Sequence, residues 1–162
     1  MKLNNVYVYI AAPFFNAEQT ETVQAIETEL AKQRVKFFSP RSEGVLIDLA
    51  PVDRAAHLER IYQSNINHMM ECNTMIAVVD DRDIGTIFEI GFFASKKLSQ
   101  KDNLLITFTN KSFGLNVMIQ QSVDAHLKGA GDLNELLPMA DYNNEMCEDQ
   151  LSFFKNFNQD VF

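Results

Sequence analysis

Hydrophobic positions along this chain fall into two alternating periods. Positions 6–11 read Val-Tyr-Val-Tyr-Ile-Ala, β-branched and aromatic and closed by Pro13, which predicts a buried strand. From 17 to 34 the apolar residues Val23, Ile26 and Leu30 recur at helical spacing, with Asn16 and Gln19 as a capping-box start. A second short strand is expected at 35–38, stopped by Ser39-Pro40-Arg41, and 42–51 reads as a loop containing Gly44 and Pro51. A second helix spans 52–71, with Leu58, Ile61, Ile66 and Met69 inward. The third strand, 74–79, is the most continuously apolar stretch. An acidic loop follows at 80–83, then a helix at 85–98, a strand at 103–108, a short helix at 115–121 and a fifth strand at 123–127.

Strands apolar on both faces and separated by helices imply a parallel sheet covered on both sides. Five of them predict a doubly wound, flavodoxin-like α/β sandwich. No internal repeat or linker interrupts the pattern, so positions 1–162 read as a single domain. In such folds ligands bind outside the carboxyl ends of the strands. That directs attention to 12–16, 39–43, 80–89 and the turn after Phe108.

Composition narrows the function classes. Lys and Arg total 14 against 22 Asp and Glu, a formal charge of −8, which argues against nucleic-acid binding because that affinity comes from basic surface. No apolar run approaches the ~20 residues of a membrane span, and the first residues lack a signal peptide's apolar stretch. Cys72 and Cys147 form no disulfide or metal framework, and His57, His68 and His126 lack ligand spacing. The expectation is a cytoplasmic protein with no metal. Met69, Met70 and Met75 read as core filler. The segment from Asp141 is amphipathic, and Phe153, Phe154, Phe157, Val161 and Phe162 give it an apolar surface that predicts an interface between copies.

The strongest chemical signal is Asp80-Asp81-Arg82-Asp83-Ile84-Gly85-Thr86-Ile87-Phe88-Glu89-Ile90-Gly91, running from the third strand into a helix. Gly85 lets a ligand approach the backbone. Glu89, expected in the first helical turn near its positive end, suits nucleophilic attack on an electrophilic carbon such as an anomeric centre. Asp83 stands among other acids, whose repulsion favours a proton on one of them and suits a general acid. A purely structural alternative fits the same letters: Thr86 as helix cap, with Glu89 folding back on it as a capping box. Phe14 and Phe15, just past the first strand, can sandwich a planar ring, and Tyr9 can orient a carboxylate; equally, the two phenyl rings can merely cover the sheet end. Of the basic residues, Arg41, Arg82 and Lys111 are the plausible phosphate partners. There is no Gly-rich phosphate loop and no nucleophile elbow.

Taken together, residues 9–16 (Tyr-Ile-Ala-Ala-Pro-Phe-Phe-Asn), the Ser39-Pro40-Arg41 turn, Asp83-x-Gly85-Thr86-x-x-Glu89-x-Gly91 and Asn116-x-Met118 resemble the nucleoside 2-deoxyribosyltransferases in order and spacing. The resemblance implies a flavodoxin-like fold, no cofactor, and exchange of the base of a 2′-deoxynucleoside for a free purine or pyrimidine through a covalent deoxyribosyl-enzyme. It implies Glu89 as the nucleophile at C1′, held by Tyr9. Asp83 protonates the departing base or fixes the sugar, and Phe15 stacks on the base. It further implies a homo-oligomer, dimer or hexamer, in which Asn116 and Met118 reach a neighbour's site at the 5′-hydroxyl side. Two positions depart from the family pattern: Asn65 stands where an aspartate is usual, and Phe162 where some members end in tyrosine. The alternatives are a hydrolase of 2′-deoxynucleoside 5′-monophosphates on the same scaffold, which Asn116 disfavours, and a catalytically silent nucleotide sensor.

Overall fold

A computed structural model describes residues 6–43, 51–112, 114–129, 131, 132 and 134. The amphipathic segment from Asp141, with Cys147 and Phe162, lies outside the described residues. The elements follow in the order β1 (Tyr7–Ala11), α1 (Ala17–Lys32), β2 (Lys36–Phe38), a 3-10 turn (Pro40–Glu43), α2 (Pro51–Glu71), β3 (Thr74–Val78), α3 (Ile84–Ser99), β4 (Leu104–Thr109), α4 (Val117–Ser122) and β5 (Ala125–Lys128). Each expected element is present, its ends shifted by a residue or two where propensity and hydrogen bonding part company.

The sheet is parallel throughout, in the order β2-β1-β3-β4-β5, which is the flavodoxin-like order. The chain steps outward from β1 to β2, then returns to lay β3 on the other side of β1. A crevice therefore opens between the carboxyl ends of β1 and β3, where the connections leave in opposite directions. Alternation along the strands divides the core in two. Val8 and Ile10 of β1 face Val23, Ile26 and Leu30 of α1. Tyr7, Tyr9 and Ala11 face the other side, against Met69 of α2, Cys72 just beyond it, and Ile90 and Phe93 of α3. Met69 and Met75 are buried as expected of filler, while Met70 is 53% exposed; on α2 it points away from the sheet.

Helix α1 starts as its sequence predicts, with Asn16 Oδ1 accepting from the Gln19 amide at 2.9 Å. Gln19 does not complete a reciprocal box: its Oε1 accepts from the Phe15 amide at 2.8 Å. Helices α2 and α3 are locked together by Lys96. Its ammonium is buried and donates to the carbonyls of Met69 at 3.1 Å, Met70 at 2.7 Å and Cys72, satisfying the carboxyl-terminal acceptors of α2 that the helix leaves unpaired. Lys96→Met keeps the aliphatic stem but takes the ammonium from these carbonyls, of which that of Met69 still accepts from the Cys72 thiol at 3.4 Å, and should cost about 2–3 kcal/mol in urea unfolding. A loss under about 0.5 kcal/mol would mean that water replaces the ammonium.

Candidate active site

Inward residues of α3 recur as Thr86, Ile90, Phe93 and Lys96. Glu89 lies beside Ile90 and one turn before Phe93, so a carboxylate occupies the helix's core-facing stripe. Its partner comes from the strand alternation already described: Tyr9, fully buried, projects from β1 onto the same side of the sheet. The Tyr9 hydroxyl donates to Glu89 Oε1 at 2.6 Å. Two residues 80 positions apart thus meet at the β1–β3 crevice.

Burial dominates the electrostatics of this pair. It pushes the Glu89 carboxyl from its usual 4.5 up to about 7; the Tyr9 hydrogen bond opposes the shift and the charge of Asp83 adds to it. The Tyr9 phenol is raised by burial and by the neighbouring Glu89 charge, so it stays a hydrogen-bond donor at neutral pH. An anionic Glu89 is then desolvated, held by one donor, and reactive rather than hydrated.

The capping alternative for Glu89 is not what the helix uses. Asp83 is the N-cap: its Oδ2 accepts from the Thr86 amide at 2.8 Å and the Thr86 hydroxyl at 3.0 Å. Thr86 is therefore inside the helix and buried, and Glu89 belongs to its second turn, not the first as expected. The cap claims one oxygen of Asp83 and leaves the other. Gly85 has a local reason as well as any ligand approach, because a Cβ there would lie 3.1 Å from Asp83 Oδ2. The acidic loop before the cap is fastened on both sides. Asp80 accepts from Thr109 and from the Asn110 amide at 3.0 Å. Asp81 accepts from Gln19 Nε2 and from Lys111, each at 2.8 Å.

Gln19 thereby joins this loop to the aromatic segment after β1. Phe14 and Phe15 stack on each other, centroids 5.4 Å apart, and Phe15 is 71% exposed. Phe15 is not cover for the sheet end; its face is open at the crevice mouth. The remaining residues singled out in the sequence stand further off. Arg41 is held by Glu27 in a two-point ion pair of 2.6 and 2.8 Å, and Lys111 by Asp81 and Glu18. Asn65, on α2 one turn before His68 and Met69, buries an Oδ1 that has no partner among the described residues. Asn116 caps α4, accepting from the Met118 amide at 2.9 Å, and Met118 is 77% exposed. Both line a cavity of about 460 Å³ with Arg82, Ile87 and Leu115. Residues two apart point to opposite sides of a helix, so the cavity lined by Ile87 lies across α3 from Glu89. Tyr9, Asp83 and Glu89 come together within one chain; Asn116 and Met118 do not join them.

One group escaped the sequence reading. His68, weighed there only as a metal ligand, packs behind Tyr9: its ring stacks on Phe38 with centroids 3.7 Å apart, and Phe38 lies 5.7 Å from Tyr9. Nothing local signals this, because the three residues come from β1, β2 and α2. Among the described residues no cluster of His, Cys, Asp and Glu is arranged to hold a metal ion, and no described helix is long and apolar enough to cross a membrane.

A flavodoxin-like sheet with a tyrosine-held carboxylate at its switch point defines a class of α/β protein with an acidic crevice. Comparison with known families narrows it: the nucleoside 2-deoxyribosyltransferase model matches residues 8–129, and the chain belongs to that family. No curated protein matches it in sequence. Among solved structures it is similar to a 2-deoxyribosyltransferase from Bacillus psychrosaccharolyticus, at 22% identity and TM-score 0.69 over 80% of this chain and 90% of that one. It is also similar to a conserved protein from Enterococcus faecalis V583, at 16% identity and TM-score 0.52 over 98% and 91% of the two chains. At these identities the likeness is one of fold. Family membership supports a transferase.

A carboxyl raised by folding favours the native state below its unfolded pKa, and that contribution is lost as pH climbs through the folded value. For Glu89 the window runs from 4.5 to about 7. Glu89→Gln, neutral throughout, should raise stability at pH 8 by about 1–3 kcal/mol and change it little at pH 4. Thermal melts at the two values check this; an equal effect at both would mean that Glu89 is not buried as an acid.

Proposed function

We propose that this protein exchanges the base of 2′-deoxynucleosides through a deoxyribosyl-enzyme formed on Glu89. The observation that carries the reading is the 2.6 Å Tyr9–Glu89 hydrogen bond in the buried crevice. A desolvated carboxylate with a fixed lone-pair direction attacks C1′ as the base departs, and an incoming base then takes the sugar. Asp83, with one oxygen outside its cap, is proposed to protonate the departing base or hold the sugar. Phe15 supplies an open ring face for the base, with Phe14 stacked behind it. Asn65 offers the base an amide rather than an acid. No cofactor enters this chemistry.

The site is proposed to be completed by a second copy. Asn116 and Met118 lie across α3 from Glu89 in their own chain, and Ile87, Val117 and Met118 leave exposed apolar surface on or beside the cavity they line. In a homo-oligomer these two residues would serve the 5′-hydroxyl end of a neighbour's substrate.

Incubation with deoxyinosine and free adenine tests the reading: new deoxyadenosine should form, and Glu89→Ala should reduce it to background. Release of 2-deoxyribose 5-phosphate and free base from a 2′-deoxynucleoside 5′-monophosphate, without exchange, would favour the hydrolase, and binding without turnover a sensor. Asp83→Asn keeps an N-cap acceptor, so its effect reports chemistry and not unfolding. It should slow poor leaving bases by about 100-fold and activated ones much less. Equal losses would assign Asp83 to the sugar. Mixed Glu89→Ala and Asn116→Ala subunits, each inactive alone, should regain part of the activity on exchange; no recovery despite proven exchange would rule out shared sites.

A further inference from the structure

Tyr9 adjoins a layer of rings drawn from β1, β2 and α2 rather than from a continuous stretch of chain. Tyr7 and Tyr9 are on the same face of β1, and the sheet register sets Tyr9 opposite Phe38 of β2. Their rings lie 5.7 Å apart, tilted by 34°. His68 comes down from α2 and stacks on Phe38, centroids 3.7 Å apart and 21° from parallel. Its orientation is fixed at the other end, where the Tyr7 hydroxyl meets His68 Nδ1 at 2.6 Å, with the two rings edge to face. The Lys36 ammonium covers the Tyr7 ring at 3.8 Å. Contacts therefore run without a gap from Tyr7 through His68 and Phe38 to Tyr9, and from Tyr9 to Glu89.

We propose that His68 is a positioning residue for Glu89, acting through Phe38 and Tyr9, with Tyr7 as the tether that holds its ring in place. The layer does two separable things. Its bulk excludes water from behind Tyr9, which is what keeps the Glu89 carboxylate desolvated. Its tether fixes the ring stack, and so the direction in which the Tyr9 hydroxyl points. A hydrogen bond a few tenths of an ångström out of place changes the approach of a nucleophile more than it changes stability. The groups that act on Glu89 are Tyr9 from β1 and Asp83 from the start of its own helix; on the same side of the sheet, His68 of α2 packs on Phe38 and Cys72, just after α2, has a thiol that burial pushes up to about 12. Removing His68 uncovers Phe38, which packs on Tyr9, without touching either member of the pair.

The inference rests on Glu89 being the nucleophile, but its first readout does not need turnover. Titration of the Glu89 carboxyl by carbon NMR should give a midpoint near 7 in the unaltered protein. His68→Ala, or His68→Asn if the alanine variant does not fold, should lower it by about one unit as water enters. His68→Phe, which restores the ring but not the tether, should return the midpoint to its original value. In the exchange assay His68→Phe and Tyr7→Phe should share a several-fold fall in kcat with KM little changed, and His68→Ala should add a shift of the acid limb of the pH profile to lower pH. If deoxynucleosides are not turned over, the enzymatic reading fails while the titration still decides the positioning role. An unmoved midpoint in both small variants, or wild-type kcat in both Tyr7→Phe and His68→Phe, would overturn the proposal.

Discussion

The hydroxyl of Tyr9 and the carboxylate of Glu89 meet in a place that a charged group enters only at a cost, and most of the local architecture follows from holding them there. The pair requires β1 and α3 to be adjacent, which the β2-β1-β3 order provides by placing β3 beside β1 and sending its following helix back across both. It requires α3 to start at a defined residue, which Asp83 secures by bonding Thr86. It requires α3 to keep its height against α2, which Lys96 secures from the other end. One of these contacts is local to α3 and the others join elements far apart in sequence, yet all of them restrain one carboxylate.

Helix α3 separates two regions with different chemistry. On one side lie the buried Tyr9–Glu89 pair and the open ring of Phe15. On the other lies the cavity that Asn116 and Met118 share with Arg82 and Ile87. The Tyr9–Glu89 pair and the Asn116–Met118 pair therefore lie on opposite sides of one helix. Helices α3 and α4 expose Ile84, Ile87, Phe88, Val117 and Met118, of which Ile87 and Met118 line that cavity.

The fold was readable because its strands are apolar on both faces, a pattern that a parallel sheet between helices demands. The candidate segment drew attention in the sequence because acids crowd a strand's carboxyl end there, where ligands of such folds bind. The assignment of the cap was not readable. Asp83-x-x-Thr86 and Thr86-x-x-Glu89 both fit the spacing of a capping pair, and local spacing cannot rank them. What decides is Tyr9, 80 residues from Glu89, which engages the carboxylate and leaves the cap to Asp83. Arg41 likewise looked available after its strand, and only the packing of α1 beside β2 reveals that Glu27 takes it. The His68–Phe38 stack is a product of three elements and has no signature in any one of them.

The central claim is that Glu89 becomes covalently bonded to the sugar. Incubation of the protein with a 2′-deoxynucleoside and no acceptor base, followed by acid quench and peptide mass analysis, tests it directly. The account predicts one deoxyribosyl group on the peptide containing Glu89, localised to that side chain and discharged when a free base is added before the quench. An adduct on a different residue, or steady base exchange with no adduct on that peptide under conditions where the intermediate should accumulate, would contradict it.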